Sequence, residues 1–489
     1  MSEAPARLPI PASDQTWLHM DRPNNLMHVH SMMWLEREPA WPDVVGLLEE
    51  RLLARFPVFW RRAAEIDGHW MWEDDPHFDL DRHVRRGELP GAGDIEALQA
   101  HAAARFAESF DPTHPLWDIE MFTDVTGLDD EPRTVFFFRF HHALADGIRL
   151  VQLLLSLCDS HDDEAMPPTV GRGQGGLLAG GADLVRRGAV DALDVVKGVG
   201  ASALRLPRMV TSLRPSSLEQ GLELLIHPGR LIDAVSGLSS EANQSMNTIT
   251  EVTRMLAAGR SIETSWSGIP GVQKRVSWVT GLDLAAVKAL GRTHGGTVND
   301  VLLSVVSRAL TRYLREKDSL VEEIHWLVPV SLLPMDRNLP EELGNHFSLV
   351  FLPMPLGIED PAQLIAAVRS RMNRLKLSAE PVITFGIQWV LAESPKVVAV
   401  ALTDLFANKG VGVLTNVPGP RSPMTFAGVP VSGVLGWAPT SGDQPLSLAI
   451  FSYNGTVSIG IAADAQLVPD PGEIAALLED EFAAMTAGA

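Results

Sequence analysis

Hydrophobic positions along this chain switch between the two spacings that regular structure imposes. Apolar runs or alternation mark strands, and recurrence every three to four residues marks helices. Residues 134–140 (TVFFFRF) are β-branched and aromatic, which predicts a buried strand. Just downstream, Ile148, Val151, Leu154 and Leu155 recur at helical spacing. Residues 69–72 (HWMW) predict another strand, and Ile95–Phe106 a helix. The pattern then changes. Residues 166–181 are rich in Pro and Gly and read as a linker, and residues 182–214 are rich in Ala, Leu and Val. From about residue 263 the strand-and-helix mixture returns. A strand is predicted at 276–279 and a helix at 284–290. A second helix runs through Val301, Leu302, Val305, Leu310 and Leu314, with Thr297 or Asn299 as its cap. At 489 residues the chain is too long for one ordinary core. The similar make-up of its halves predicts an α+β protein of two related sheet-and-helix subdomains, residues 1–160 and 263–489, joined by a connector over residues 161–262.

The chemistry concentrates where the predicted strand meets the helix. There the chain reads HHALADG, an HHxxxDG pattern. His141 and His142 end the strand, Asp146 fits the helix N-cap, and Gly147 relieves the steric limit of a sharp turn. A neutral imidazole is the usual protein base near neutral pH, able to take the proton of an alcohol that attacks an activated carbonyl. Adjacent strand residues point to opposite sides, so one histidine faces the reaction while the other packs or holds the loop. The competing reading makes both histidines structural and Asp146 a plain N-cap. No metal site is expected, because HExxH is absent and neighbouring histidines cannot easily share one ion. GxSxG and P-loop patterns are also absent. Gly171, Gly173 and Gly176 match GxGxxG, but Pro167 and Pro168 stand where a dinucleotide fingerprint needs a strand, so this stretch reads as flexible linker.

Charge and composition narrow the partners. A formal net charge of −21 argues against nucleic acid. The lone Cys158 excludes an internal disulfide and suits a reducing compartment. The N-terminus lacks the charged-then-apolar pattern of a signal peptide. The charge-free stretch 422–442 is broken by Pro423, Pro430 and Pro439 and by Gly428, Gly433 and Gly436, so it does not read as a membrane span. A cytoplasmic protein, soluble or peripheral to a membrane or lipid droplet, is expected. Residues 182–214 carry six Lys or Arg against three Asp. This basic island either rests on anionic lipid headgroups or is an ordinary surface helix bridging the subdomains.

Six short motifs, in order, add a family resemblance over nearly the whole length. These are MDRPNNLMHV (residues 20–29), FDLDRHVRRGELPGAGD (78–94), Pro115-Leu116-Trp117, HHALADG, GGTVNDVLLSVVSRAL (295–310, with Asn299-Asp300) and Thr415-Asn416-Val417-Pro418-Gly419-Pro420. Together they resemble the bacterial wax ester synthase/acyl-CoA:diacylglycerol acyltransferase family. The resemblance implies two subdomains like chloramphenicol acetyltransferase and peptide-synthetase condensation domains, meeting at a tunnel with the active-site loop near its middle. It implies His142 as the catalytic base, His141 as its support, and Asp146 as mainly structural through a buried arginine pair, with Arg139 and Arg149 nearby in sequence. The chain departs from the family at Leu333, where arginine is usual, and at Thr415, where serine is usual. Each accessory motif also has a plainer reading. Pro115-Leu116-Trp117 packs a loop against the core, and Asn299 is a helix cap. Asn416 stabilises the Pro418-Gly419 turn, and Gly344-Asn345 is a turn rather than part of the tunnel. The twelve tryptophans read as core rather than a substrate box.

The expected reaction moves a fatty acyl group from acyl-CoA to a long-chain alcohol or diacylglycerol. His142 deprotonates the hydroxyl, the oxygen attacks the thioester directly, and backbone N–H groups or Asn299 steady the oxyanion. No cofactor is expected, since acyl-CoA is a substrate. Local Lys and Arg, with the 182–214 island as one candidate, would meet the CoA phosphates. Two alternatives stay open: the same chemistry with a short or branched alcohol, a polyketide hydroxyl or an amine as acceptor, and a non-catalytic lipid-binding protein.

Overall fold

The computed structural model describes residues 7–67, 69–160, 263–331, 339–377 and 396–487. The Pro/Gly-rich linker, the GxGxxG match, the basic island at 182–214 and Leu333 lie outside these residues.

Both halves form mixed sheets with helices, as the hydrophobic pattern predicts. The first is a seven-stranded sheet in the order Val84–Arg86, Trp117–Val125, Arg133–His141, His28–Leu35, Val429–Trp437, Met424–Phe426, Asp159–Ser160. Its third strand, Arg133–His141, contains the predicted aromatic run and is buried at every position after the first. It is paired on both sides, against Trp117–Val125 and His28–Leu35. That two-sided pairing leaves no exposed edge and explains why a continuous apolar run suits it. The second sheet has six strands in the order Phe347–Pro355, Glu323–Ser331, Gly412–Pro418, Leu446–Tyr453, Thr456–Asp464, Lys274–Asp283. The helix Val298–Glu316 lies against it with fourteen buried residues. Ile95–Phe106 is helical over the predicted span. The predicted helix at 284–290 runs from Leu284 to His294, and the strand at 69–72 from His69 to Asp74.

Sequence order and sheet order part company at residues 424–437. These residues belong to the second half of the chain, yet their two strands hydrogen-bond into the first sheet, Val429–Trp437 alongside His28–Leu35. This crossing stitches the halves together. A core cluster joins Met32, Trp34 and Phe137 of the first sheet to Trp278 and Ala462 of the second through Leu435 and Trp437. The two sheets come close at Gly460, where an added Cβ would stand 2.3 Å from the Gly436 carbonyl oxygen. Only glycine permits it.

Gly460→Ala should therefore push against backbone rather than a yielding side chain, and cost about 1–3 kcal/mol. A lowered midpoint of chemical unfolding checks this, with Gly472→Ala, which meets nothing within 4 Å, as the silent control.

Candidate active site

His142 follows the last residue of the strand Arg133–His141. Its backbone N–H donates to the Met27 carbonyl at 2.7 Å, and Asp146 caps the helix Gly147–Ser156 four residues on. Its ring is held by Asn345, 203 residues away. Asn345 Nδ2 donates to the His142 carbonyl at 2.9 Å and to Asp14 Oδ1 at 2.9 Å, so the amide oxygen is the only group left to face the imidazole. That oxygen lies 2.9 Å from His142 Nδ1. An amide oxygen can only accept, so Nδ1 carries the proton and Nε2 keeps a free lone pair. Burial pushes the ring pKa down to about 4, while the ring's own backbone carbonyl and Asn345 act the other way. His142 is therefore neutral near neutral pH, in the tautomer that a base acting through Nε2 requires.

His141 is held differently. Its Nδ1 accepts from the Ala143 N–H at 3.0 Å, so Nε2 carries the proton and meets Asp21 Oδ2 at 3.1 Å. Among the described residues, Asp21, His28 and His141 gather one potential ligand atom each within 4.8 Å. Within this cluster His141 Nε2 donates to Asp21 Oδ2, while His28 Nδ1 is buried with no hydrogen-bond partner among the described residues. Asp21 Oδ1 also accepts from Met27 N–H at 2.6 Å, which ties the 20–29 motif to the histidine pair.

A cavity of about 240 Å³ opens in front of His142. Its walls are apolar and come from both halves of the chain, with Met27, Val29 and Ile148 on one side and Leu327, Phe347 and Phe451 on the other. Trp17 stacks on the His142 ring, centroids 3.9 Å apart and planes 19° apart. Most of the described tryptophans are core, as expected, but Trp17 and Trp437 line the cavity. Cys158 offers no competing nucleophile, since burial pushes its thiol up to about 12.

An apolar cavity between two mixed sheets, with a neutral histidine base at its wall, is the arrangement the sequence motifs led us to expect, and comparison with known proteins agrees. Residues 10–302 match the wax ester synthase/diacylglycerol acyltransferase catalytic domain, and residues 343–486 match the WS/DGAT C-terminal domain. The chain belongs to this family. A probable diacylglycerol O-acyltransferase of Mycobacterium tuberculosis is 27% identical over 423 residues, covering 85% of this chain and 81% of its own. A second from the same organism is 26% identical over 503 residues, covering 96% and 97%. Among solved structures, the wax ester synthase/diacylglycerol acyltransferase from Marinobacter aquaeolei VT8 matches with a TM-score of 0.64 at 18% identity, over 98% of this chain and 99% of that one. The first condensation domain of the calcium-dependent antibiotic synthetase matches at 0.55 and 13% identity, over 100% and 96%. The condensation-domain-like fold expected from the motifs is thus the one present.

The motifs of this family member do different work from one another. Asp146 has no arginine ion pair among the described residues, contrary to expectation. Its Oδ1 accepts from Arg149 N–H and its Oδ2 from His346 N–H, both at 2.9 Å, so it joins the two halves through backbone. Arg139 is instead spent on Asp118 and on the Arg105 and Glu108 carbonyls. The Arg149 guanidinium bonds Gln152. Gly147 needs no glycine-only backbone, and a Cβ there would meet nothing within 4 Å, so the sharp-turn argument fails for it. It lines the cavity. Trp117 is buried, donates to the Phe59 carbonyl at 2.7 Å and stacks on His83, while the Leu116 carbonyl accepts from His141 N–H. Pro115-Leu116-Trp117 thus packs and braces, as its plainer reading says. Thr297 caps the helix Val298–Glu316 and Asp300 completes the capping box, so Asn299 is not the cap. Asn299 Oδ1 accepts from Asn416 Nδ2 at 2.9 Å, and it is Asn416 that lines the cavity. Sequence reasoning passed over Asp14 and Trp17, and placed Asn345 only in a turn. Gly344 does turn there, with φ of 59°, and Asn345 serves the site as well.

Asp146→Asn removes one of two acceptor oxygens and turns an amide N–H toward a backbone N–H. We expect a loss of about 1–3 kcal/mol in urea unfolding, because a buried donor is left unmet. An unchanged midpoint would show that the Arg149 and His346 bonds do not hold the halves together.

Proposed function

We propose that this protein transfers a fatty acyl group from acyl-CoA to a hydroxyl acceptor, a long-chain alcohol or diacylglycerol, giving a wax ester or triacylglycerol. The observation that carries the reading is the free Nε2 of a neutral, buried His142 at the wall of an apolar cavity. Such a cavity suits alkyl chains, and such a base suits an alcohol. His142 Nε2 takes the hydroxyl proton as the oxygen attacks the thioester carbonyl. The C–O bond forms, the tetrahedral oxyanion collapses, the C–S bond breaks, and the imidazolium returns its proton to the thiolate sulfur. The thioester is already activated, so no acyl-enzyme and no cofactor are needed. His141 and Asp146 act by holding the loop. The relatives from Mycobacterium tuberculosis, named as probable diacylglycerol O-acyltransferases, support diacylglycerol as acceptor.

Acceptors of this kind partition into lipid, which favours peripheral contact with a membrane or droplet surface on the cytoplasmic side. Among the described residues no helix is long and apolar enough to cross a membrane. Nucleic acid is not a partner on this reading, given the net charge of −21.

The test is release of CoA thiol from palmitoyl-CoA with hexadecanol or dioleoylglycerol, with lipid products resolved by thin-layer chromatography. Acceptor-dependent turnover should fall by about a hundredfold or more in a folded His142→Ala protein. Equal turnover in both proteins would remove His142 as the base.

A further inference from the structure

The reaction above leaves one buried ionisable side chain beside the base without a task. Asp14 lies in the helix Ala12–Met20 and is 3% exposed. Its Oδ1 accepts from the Asn345 N–H at 3.0 Å and from Asn345 Nδ2 at 2.9 Å, and Ser13 Oγ donates to the same oxygen at 3.3 Å. A neutral asparagine at position 14 could accept the same bonds, whereas a carboxylate withdrawn from water costs stability. The position therefore carries a charge that its packing does not require. That charge sits one amide away from the His142 ring.

The geometry points to Asp14 as a positioning residue for acyl transfer. Its negative charge, passed on by the polarised Asn345 amide, holds His142 in the Nδ1–H tautomer and stabilises the imidazolium formed when Nε2 takes the alcohol proton. The inference rests on the acyltransferase reading above. No proton travels along the chain Asp14–Asn345–His142, because an amide does not relay one. The proton taken by Nε2 leaves from Nε2 to the thiolate, and Asp14 stays ionised throughout. The role parallels the third member of a hydrolase triad, which orients the base and supports its charge. Here an asparagine is interposed. Support of this kind is needed because the burial that keeps His142 neutral also makes its protonated form costly.

The arrangement has a pH signature. Burial pushes Asp14 up to about 6; the Asn345 and Ser13 bonds oppose the rise and Asp146 adds to it. The other groups facing it are His142, held down near 4, and His346, lowered by burial, whose Nε2 and Asp14 Oδ2 flank Gly344. Asp146 is itself raised by burial, with the Arg149 charge opposing. On the helix Lys396–Ala407 packed against Asp14's own helix, Asp404 is paired with Arg22. Because the folded value of Asp14 lies above its ordinary 3.8, ionising it lowers stability as pH rises from about 4 to about 6. The rate runs the other way, since the supporting charge appears as pH rises through about 6.

The experiment measures kcat and KM for acyl-CoA across this range in the full-length wild type, Asp14→Asn, Asn345→Ala and the double variant. Asp14→Asn should fold, unfold no earlier than wild type at neutral pH, and keep KM within about twofold. Its kcat should fall by about tenfold or more and lose the acid limb near pH 6. The double variant should be no slower than Asn345→Ala, because Asp14 acts through Asn345. Wild-type kcat with the acid limb intact in Asp14→Asn would overturn the inference, as would losses that multiply in the double variant. Should Asp14→Asn not fold, the wild-type profile decides: an acid limb near 6 supports the inference and a flat profile overturns it. A wild type inactive with every acceptor would sink the acyltransferase reading itself, a separate outcome that takes this inference with it.

Discussion

The side chain of Asn345 makes three hydrogen bonds in which both polar atoms of its amide are used. Nδ2 donates to Asp14 and to the His142 carbonyl, and Oδ1 accepts from His142 Nδ1. These bonds fix which nitrogen of His142 is bare, and the proposed chemistry depends on that choice. They also cross the molecule, because Asp14 and His142 belong to the first half and Asn345 to the second. The base is thus correctly set only when the two sheets are docked. The neighbouring bond from His346 N–H to Asp146 and the bridge between Ala145 and Gly344 fasten the same two loops.

Burial acts on this site in opposite directions. An apolar wall suits long alkyl chains and keeps His142 unprotonated, but it penalises the charged state through which a base must pass. Some polar groups at or behind the wall are engaged, while His30 and Ser31 line it with buried polar atoms that have no hydrogen-bond partner among the described residues. His142 meets Asn345, His141 meets Asp21, and Asn416 meets Asn299. Each pair joins residues far apart in sequence, which lets a cavity between two sheets stay both apolar and ordered.

Most of the fold was legible because strands and helices leave local patterns. The aromatic run before His141 and the helical spacing after Gly147 each lie within one element. The crossing of residues 424–437 was not legible, since a hydrophobic pattern marks a strand but not the sheet it joins. The histidine pair was legible as a compact motif, and the six family motifs pointed to the family and its fold. Asp14 and Asn345 were not legible as partners, being 331 residues apart and each alone in its surroundings. The partner of Arg139 was not legible, since closeness in sequence does not identify it; the strand register places it opposite Asp118.

Nitrogen-15 NMR of histidine-labelled protein, with His142 assigned by its loss in His142→Gln, tests the central claim most directly. The account predicts a protonated, pyrrole-type Nδ1 and a bare, pyridine-type Nε2 for His142 at neutral pH. A proton on Nε2 would contradict it, because the nitrogen facing the acceptor would then have no lone pair with which to act.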